Sequence, residues 1–241
     1  RQVRRHIPKR WLLFPIDPGK VRIITFMMLF HRGTAALVFD AYLAAARGDP
    51  SGLWLMSLAS DFMLPKALTW GHLLAQGRSA DFDPARDYVR ELDPPEAILG
   101  SPVALALWGT AAAWPTRLIP PELRQPQPSD IPTLLVSGSV DFSTPAEFAT
   151  RELLPFLKNG RQIILREFGH VNDVFSLNPP AIERLLVSFF DTGEADDSLF
   201  TYTPMDFKVS LGFPKIAKLL LSVGGVLVLG LLALIVALVM Q

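Results

Sequence analysis

Large apolar residues crowd the first third of the chain, and capping signals cut it into helical segments. Asp17-Pro18 reads as the N-cap and first residue of a helix reaching about Phe30. Thr34 is a candidate cap for a second helix through Arg47, ended by Gly48. Pro50 begins a third, running to about Phe62 and interrupted near Pro65; Leu68 to Gln76 makes a fourth. The large side chains on these segments, among them Phe26, Met27, Phe39, Tyr42, Trp54, Met56 and Trp70, read as helical core rather than as a groove. Prolines 115, 120, 121, 126 and 128 then mark a stiff surface connection.

The pattern changes after Ile131. Thr133 to Val136 is a short apolar run of β-formers between Pro132 and Gly138, which suits a buried parallel strand. Thr144, Pro145 and Glu147 fit N-cap, N1 and N3 of a helix. Gln162 to Leu165 reads as the next strand, followed by Gly169-His170. Asn178 and Pro179-Pro180 start a helix to about Phe190, with Ile182, Leu185, Leu186 and Phe189 on one face. Residues 191–198 are acidic and polar, a linker; Phe200 to Pro214 mixes aromatics and prolines as a juxtamembrane segment does.

Leu219 to Met240 carries no charge and little that is polar beyond Ser222. At about 1.5 Å per residue it reaches about 33 Å, enough to cross a bilayer. Gly224, Gly225 and Gly230 supply no four-apart pair for helix dimerisation. Lys208, Lys215 and Lys218 precede the span, and the positive-inside rule would set that flank in the cytoplasm.

Composition narrows the chemistry. Half the residues are apolar, and 23 basic side chains balance 23 acidic ones, so no net field favours nucleic acid. The basic cluster Arg1, Arg4, Arg5, Lys9 and Arg10 reads as a solvated terminus rather than a lipid or nucleic-acid contact. With no cysteine, neither disulfides nor a thiolate nucleophile are available. No histidine pair shares a metal-ligand spacing with a carboxylate, and no cofactor is expected. The first residue is arginine and the last residues run on without a polar cap, so a longer protein is expected.

Asp141 falls just past the carboxyl end of the first strand and His170 just past the second, the placement a carboxylate needs to orient an imidazole. Asp173 reads as a solvated loop carboxylate and Glu147 as a capping residue. Of the other histidines, His6 lies in the basic end, and His31 and His72 in helical sequence.

An acid followed by a histidine roughly thirty positions later, after adjacent strands, resembles the α/β-hydrolases. The stretch Pro-Thr-Leu-Leu-Val-Ser-Gly-Ser-Val-Asp-Phe-Ser-Thr-Pro is similar to their tripeptidyl aminopeptidase and proline iminopeptidase branch. Gly138, Asp141, Thr144, Pro145, Gly169 and His170 match its Gly-x-x-Asp-x-x-Thr-Pro and Gly-His turns, within a resemblance covering Val21 to Phe190. The resemblance implies the C-terminal part of an α/β-hydrolase fold, with a helical cap from Val21 to about Ala113, Asp141 as triad acid and His170 as base. The expected organisation is a basic segment (1–20), cap and connection (21–128), α/β core (129–190), linker (191–214) and transmembrane helix (215–241). The nucleophile is missing: no Gly-x-Ser-x-Gly elbow occurs, and Ser137 and Ser139 belong to the acid-bearing strand end. Two readings stay open. One is the C-terminal portion of a membrane-anchored, aminopeptidase-like serine hydrolase acting on a peptide or a small ester or amide, its serine outside this chain. The other is a catalytically inactive accessory subunit of a larger membrane complex. The resemblance favours an extracytoplasmic hydrolase domain at the cell membrane, against the lysine flank.

Overall fold

A computed structural model describes residues 6–67, 69–94, 97, 100–109 and 117–239. Arg1, Arg4, Arg5, Leu68, Ala113, Pro115 and Met240 lie outside the described residues. The first half is helical. Helix α1 (Pro18–Met28) starts as expected, with Asp17 Oδ1 accepting from the amides of Gly19 and Lys20 at 2.8 and 3.2 Å. Helix α2 (Arg32–Ala46) begins two residues before the expected Thr34 cap. The Thr34 hydroxyl instead donates to the carbonyls of Met28 and His31, tying the corner between α1 and α2. Helix α3 (Ser51–Ala67) contains Pro65 rather than breaking at it, because the lost amide bond falls in the exposed last turn. Helix α4 (Trp70–Asp81) extends past Gln76, and two short helices follow, α5 (Tyr88–Leu92) and α6 (Pro102–Gly109).

Val21, Ile24, Val38, Ala41, Leu53 and Met56 form the core of this helical layer. The segment before it is not a free arm: Ile7, Trp11 and Ile16 are buried in the same cluster. A small antiparallel hairpin of β1 (Arg10–Trp11) and β2 (Phe14–Pro15) brings Trp11 and Phe14 against Trp54, each with ring centroids 5.1 Å away. Of the aromatics read as core, Tyr42 is buried, while Phe26, Phe39 and Trp54 are half-buried.

The second layer holds β3 (Thr133–Gly138) and β4 (Gly160–Leu165), paired in parallel from Thr133 opposite Gly160 to Gly138 opposite Leu165. Between them the chain crosses over as α7 (Ala146–Phe148), a π turn (Ala149–Leu153) and a 3₁₀ turn (Leu154–Phe156). A short helix α8 (Asn172–Ser176) precedes α9 (Pro179–Thr192). Leu134, Val136, Ile163 and Leu165 pack one sheet face against Ile182 and Leu185 of α9, which is capped by Asn178 and stopped at Gly193 with φ 78°. The other face is less covered, and Ile164 stays 50% exposed. Among the described residues this sheet has two strands.

The segment between α9 and the last helix does not hang free. Tyr202 donates its hydroxyl and Met205 its amide to the Glu167 carboxylate at 2.9 and 2.8 Å, and Arg32 donates to the Thr203 carbonyl. The Arg166 guanidinium lies 4.0 Å from the Tyr202 ring centroid. Helix α10 (Phe213–Val239) follows, and it is the one helix among the described residues long and apolar enough to cross a membrane. Its first turns are rooted in the helical layer. Pro214 and Ala217 are buried, Leu221 packs on the core, and Lys218 pairs with Asp49 at 2.6 Å. Beyond Leu221 the described side chains are exposed.

Candidate functional site

The turn after β3 folds around one carboxylate. Oδ1 of Asp141 accepts from the amides of Ser143 and Thr144 at 2.9 and 3.0 Å, the local turn an aspartate favours. Oδ2 accepts from the Thr144 hydroxyl at 2.8 Å and from Nδ1 of His170 at 2.8 Å. An ionised carboxylate can only accept, so in the neutral imidazole Nδ1 carries the proton and Nε2 offers its lone pair. The Asp141 side chain is 7% exposed and that of His170 29%, leaving the acid shielded and the ring reachable.

Burial works against ionisation of Asp141, but the donors from Thr144, His170 and Ser143 together outweigh it and hold the carboxyl below its usual range. A carboxyl lowered in the folded state stabilises the fold above its unfolded pKa and loses that contribution as pH falls through the folded value. The urea midpoint of the chain should therefore fall more steeply below about pH 4 than that of Asp141→Asn, and the two should converge toward low pH. Parallel midpoint curves would show that the pairing is not formed in solution.

His170 reaches Asp141 because two turns come unusually close. The Val140 amide donates to the Phe168 carbonyl at 3.1 Å, and a Cβ on Gly138 would overlap the carbonyl oxygens of Phe168 and Gly169. A Cβ on Gly169 would overlap the Phe30 carbonyl and lie 2.7 Å from Oδ2 of Asp173. Glycine is required at both positions for space. The His170 amide donates to the Phe30 carbonyl at 2.7 Å, and the Phe30 ring centroid lies 4.9 Å from the imidazole. Phe142 stacks on Phe30 at 5.4 Å and meets Phe26 edge-on, so the turn from α1 to α2 sets an aromatic wall beside the histidine.

Three sequence readings change here. Thr144 does not cap the following helix: its hydroxyl turns to Asp141, and the helix starts at Ala146 without a side-chain cap bond. The acceptor, three residues back in the same turn, is charged, and a charge-assisted bond outcompetes a neutral cap. Glu147 accordingly has no capping partner to complete a box. Asp173 is not a solvated loop carboxylate: it is 2% exposed, accepts from the amides of Gly169 and Arg32, and lies 3.5 Å from Nδ1 of His31. Ser137 and Ser139 face elsewhere, accepting from the Gln162 side chain and the Glu167 amide. The aromatic wall and the role of Thr144 had no linear signal beyond the Thr-Pro that marks the turn. Among the described residues, no group of three or more His, Asp or Glu is arranged to hold a metal ion.

Residues 101–199 match the family model of TAP-like protein, within the α/β-hydrolase superfamily. That span carries α6, both parallel strands, the acid turn, the histidine turn and α9. No curated protein and no solved structure matches the chain.

Proposed function

We propose that this chain, whose residues 101–199 match the TAP-like family model, supplies the acid and base of a Ser-Asp-His hydrolase anchored in a membrane by α10. The observation that carries the reading is the 2.8 Å contact between Asp141 Oδ2 and His170 Nδ1, made at the same rim of two parallel strands. In that role Nε2 of His170 takes the proton of a serine hydroxyl as it attacks a carbonyl, then returns it to the leaving amine. Asp141 holds the tautomer and stabilises the imidazolium formed on the way. Because no Gly-x-Ser-x-Gly elbow occurs in the sequence, the serine and its oxyanion-hole donors come from a polypeptide segment outside these 241 residues. The sheet supports this reading: parallel strands are usually covered on both faces and flanked by further strands, whereas among the described residues this sheet has two strands and leaves Ile164 50% exposed.

The substrate class, a peptide cleaved near its N-terminus, follows from the tripeptidyl aminopeptidase resemblance, as does an extracytoplasmic placement of the domain. The triad itself serves esters and amides equally. Fluorophosphonate labelling of the intact protein, followed by peptide mapping, tests the reading: the modified serine should lie on a peptide outside this sequence. An intact protein that takes no label and cleaves no aminopeptidase substrate would instead be an inactive accessory subunit of a membrane complex.

A further inference from the structure

The main chain on both sides of His170 is fastened to one residue, Asp173, through its carboxylate on one side and its backbone amide on the other. Oδ2 of Asp173 accepts from the Gly169 amide at 2.8 Å and from the Arg32 amide at 2.9 Å, while the Asp173 amide donates to the His170 carbonyl at 2.8 Å. Arg32 is the first residue of α2, where amides without helical partners and the positive end of the helix dipole favour an anion. With the His170 amide bonded to the Phe30 carbonyl, the histidine is locked to the corner between α1 and α2 through its own peptide and through the Asp173 side chain. Taking a carboxylate out of water is costly, and a neutral side chain or a tighter turn could have closed this loop more cheaply. The Arg32 guanidinium does not offset that cost, since it reaches the Thr203 carbonyl; the imidazole of His31, at 3.5 Å, is the neighbouring titratable group.

We propose that Asp173 is a positioning residue for His170: by bridging the Gly169 and Arg32 amides it sets the height of the histidine turn over the helical layer, and so the reach of Nδ1 to Asp141. The contact it controls has little slack, because Gly138 and Gly169 already sit at backbone contact. Displacing a catalytic group by about 1 Å costs on the order of a hundredfold in rate. The inference needs only the Asp141–His170 pair of the proposed function and not the missing serine.

The test uses the full chain in detergent micelles with ¹⁵N-labelled histidine, and reads solvent exchange of the Nδ1 proton of His170, identified by its loss in His170→Gln. Asp173→Ala should speed that exchange at least about tenfold while cooperative unfolding is retained. Asp173→Asn, whose amide oxygen can accept both backbone protons, should stay within about threefold of wild type. Should the alanine variant not fold, Asp173→Glu decides the matter, because its longer arm keeps the charge and moves the acceptor. Wild-type exchange in a folded Asp173→Ala or Asp173→Glu protein overturns the positioning role alone. A wild-type chain with no protected Nδ1 proton on His170 overturns the pair itself, and the proposed function with it.

Discussion

On the proposed function, replacing His170 with alanine in the intact protein is expected to lower kcat on an aminopeptidase substrate by about 10⁶-fold and to remove fluorophosphonate labelling. The size of the loss follows from what the ring does. A serine hydroxyl is a weak nucleophile at neutral pH, and only Nε2 of an imidazole whose other nitrogen is held by a carboxylate can take its proton in place. The geometry leaves no substitute: His31 faces Asp173, and His6 and His72 are exposed on other parts of the fold. Oxyanion donors and binding alone would leave a residual rate about 10³–10⁴-fold above water. The measurement is active-site titration with the probe beside steady-state turnover. Labelling at the wild-type rate in His170→Ala would remove the histidine from the mechanism.

Gly138→Ala is expected to have the largest effect on structure for its size. The added methyl points at the carbonyl oxygens of Phe168 and Gly169, both backbone atoms, so no side chain can swing aside. Relief requires the acid turn and the histidine turn to separate, which breaks the Asp141–His170 contact and the Val140–Phe168 hydrogen bond together. We expect a loss of about 3 kcal/mol, at the upper end for overpacking, read as a shift in denaturation midpoint. Activity should fall with it even at temperatures where the variant is folded. Gly225→Ala is the matched control, because nothing lies within 4 Å of the added methyl on the exposed part of α10. Equal midpoints for Gly138→Ala and wild type would mean that the two turns are not in contact.

The elements that could be read from the sequence are those whose signals are local. Asp17-Pro18 and Asn178-Pro179 start helices because the side chain that caps and the ring that follows act within one turn. The β3 and β4 runs are strands because short β-forming stretches bounded by proline or glycine have few other uses. The approach of Asp141 to His170 follows from two strand ends opening on one rim. What escaped was the choice between competing nearby acceptors, and whatever depends on a distant partner. Thr34 and Thr144 look like caps in isolation, yet each hydroxyl turns back to an acceptor just upstream, Thr34 to the Met28 and His31 carbonyls and Thr144 to the Asp141 carboxylate. Asp173 looks solvated because nothing in Gly-His-Val-Asn-Asp reveals that the start of α2 will close over it. The hairpin of β1 and β2 carries Leu12 at φ 53°, where a turn usually advertises itself with glycine or asparagine. A nucleophilic serine could not be read at all, since no Gly-x-Ser-x-Gly elbow is among these residues.

The rooting of α10 has a consequence for reach. Pro214, Ala217 and Leu221 fasten its first turns to the helical layer, so no slack leash precedes the exposed part of the helix. Residues 222–239 extend about 27 Å beyond that root, close to the thickness of a hydrocarbon core. If α10 crosses a bilayer as proposed, the domain would stand rather than swing. A hydrolase site at His170 would then sit at one stand-off from the headgroups, screening substrates by how far their cleavable end projects from the surface as well as by its chemistry.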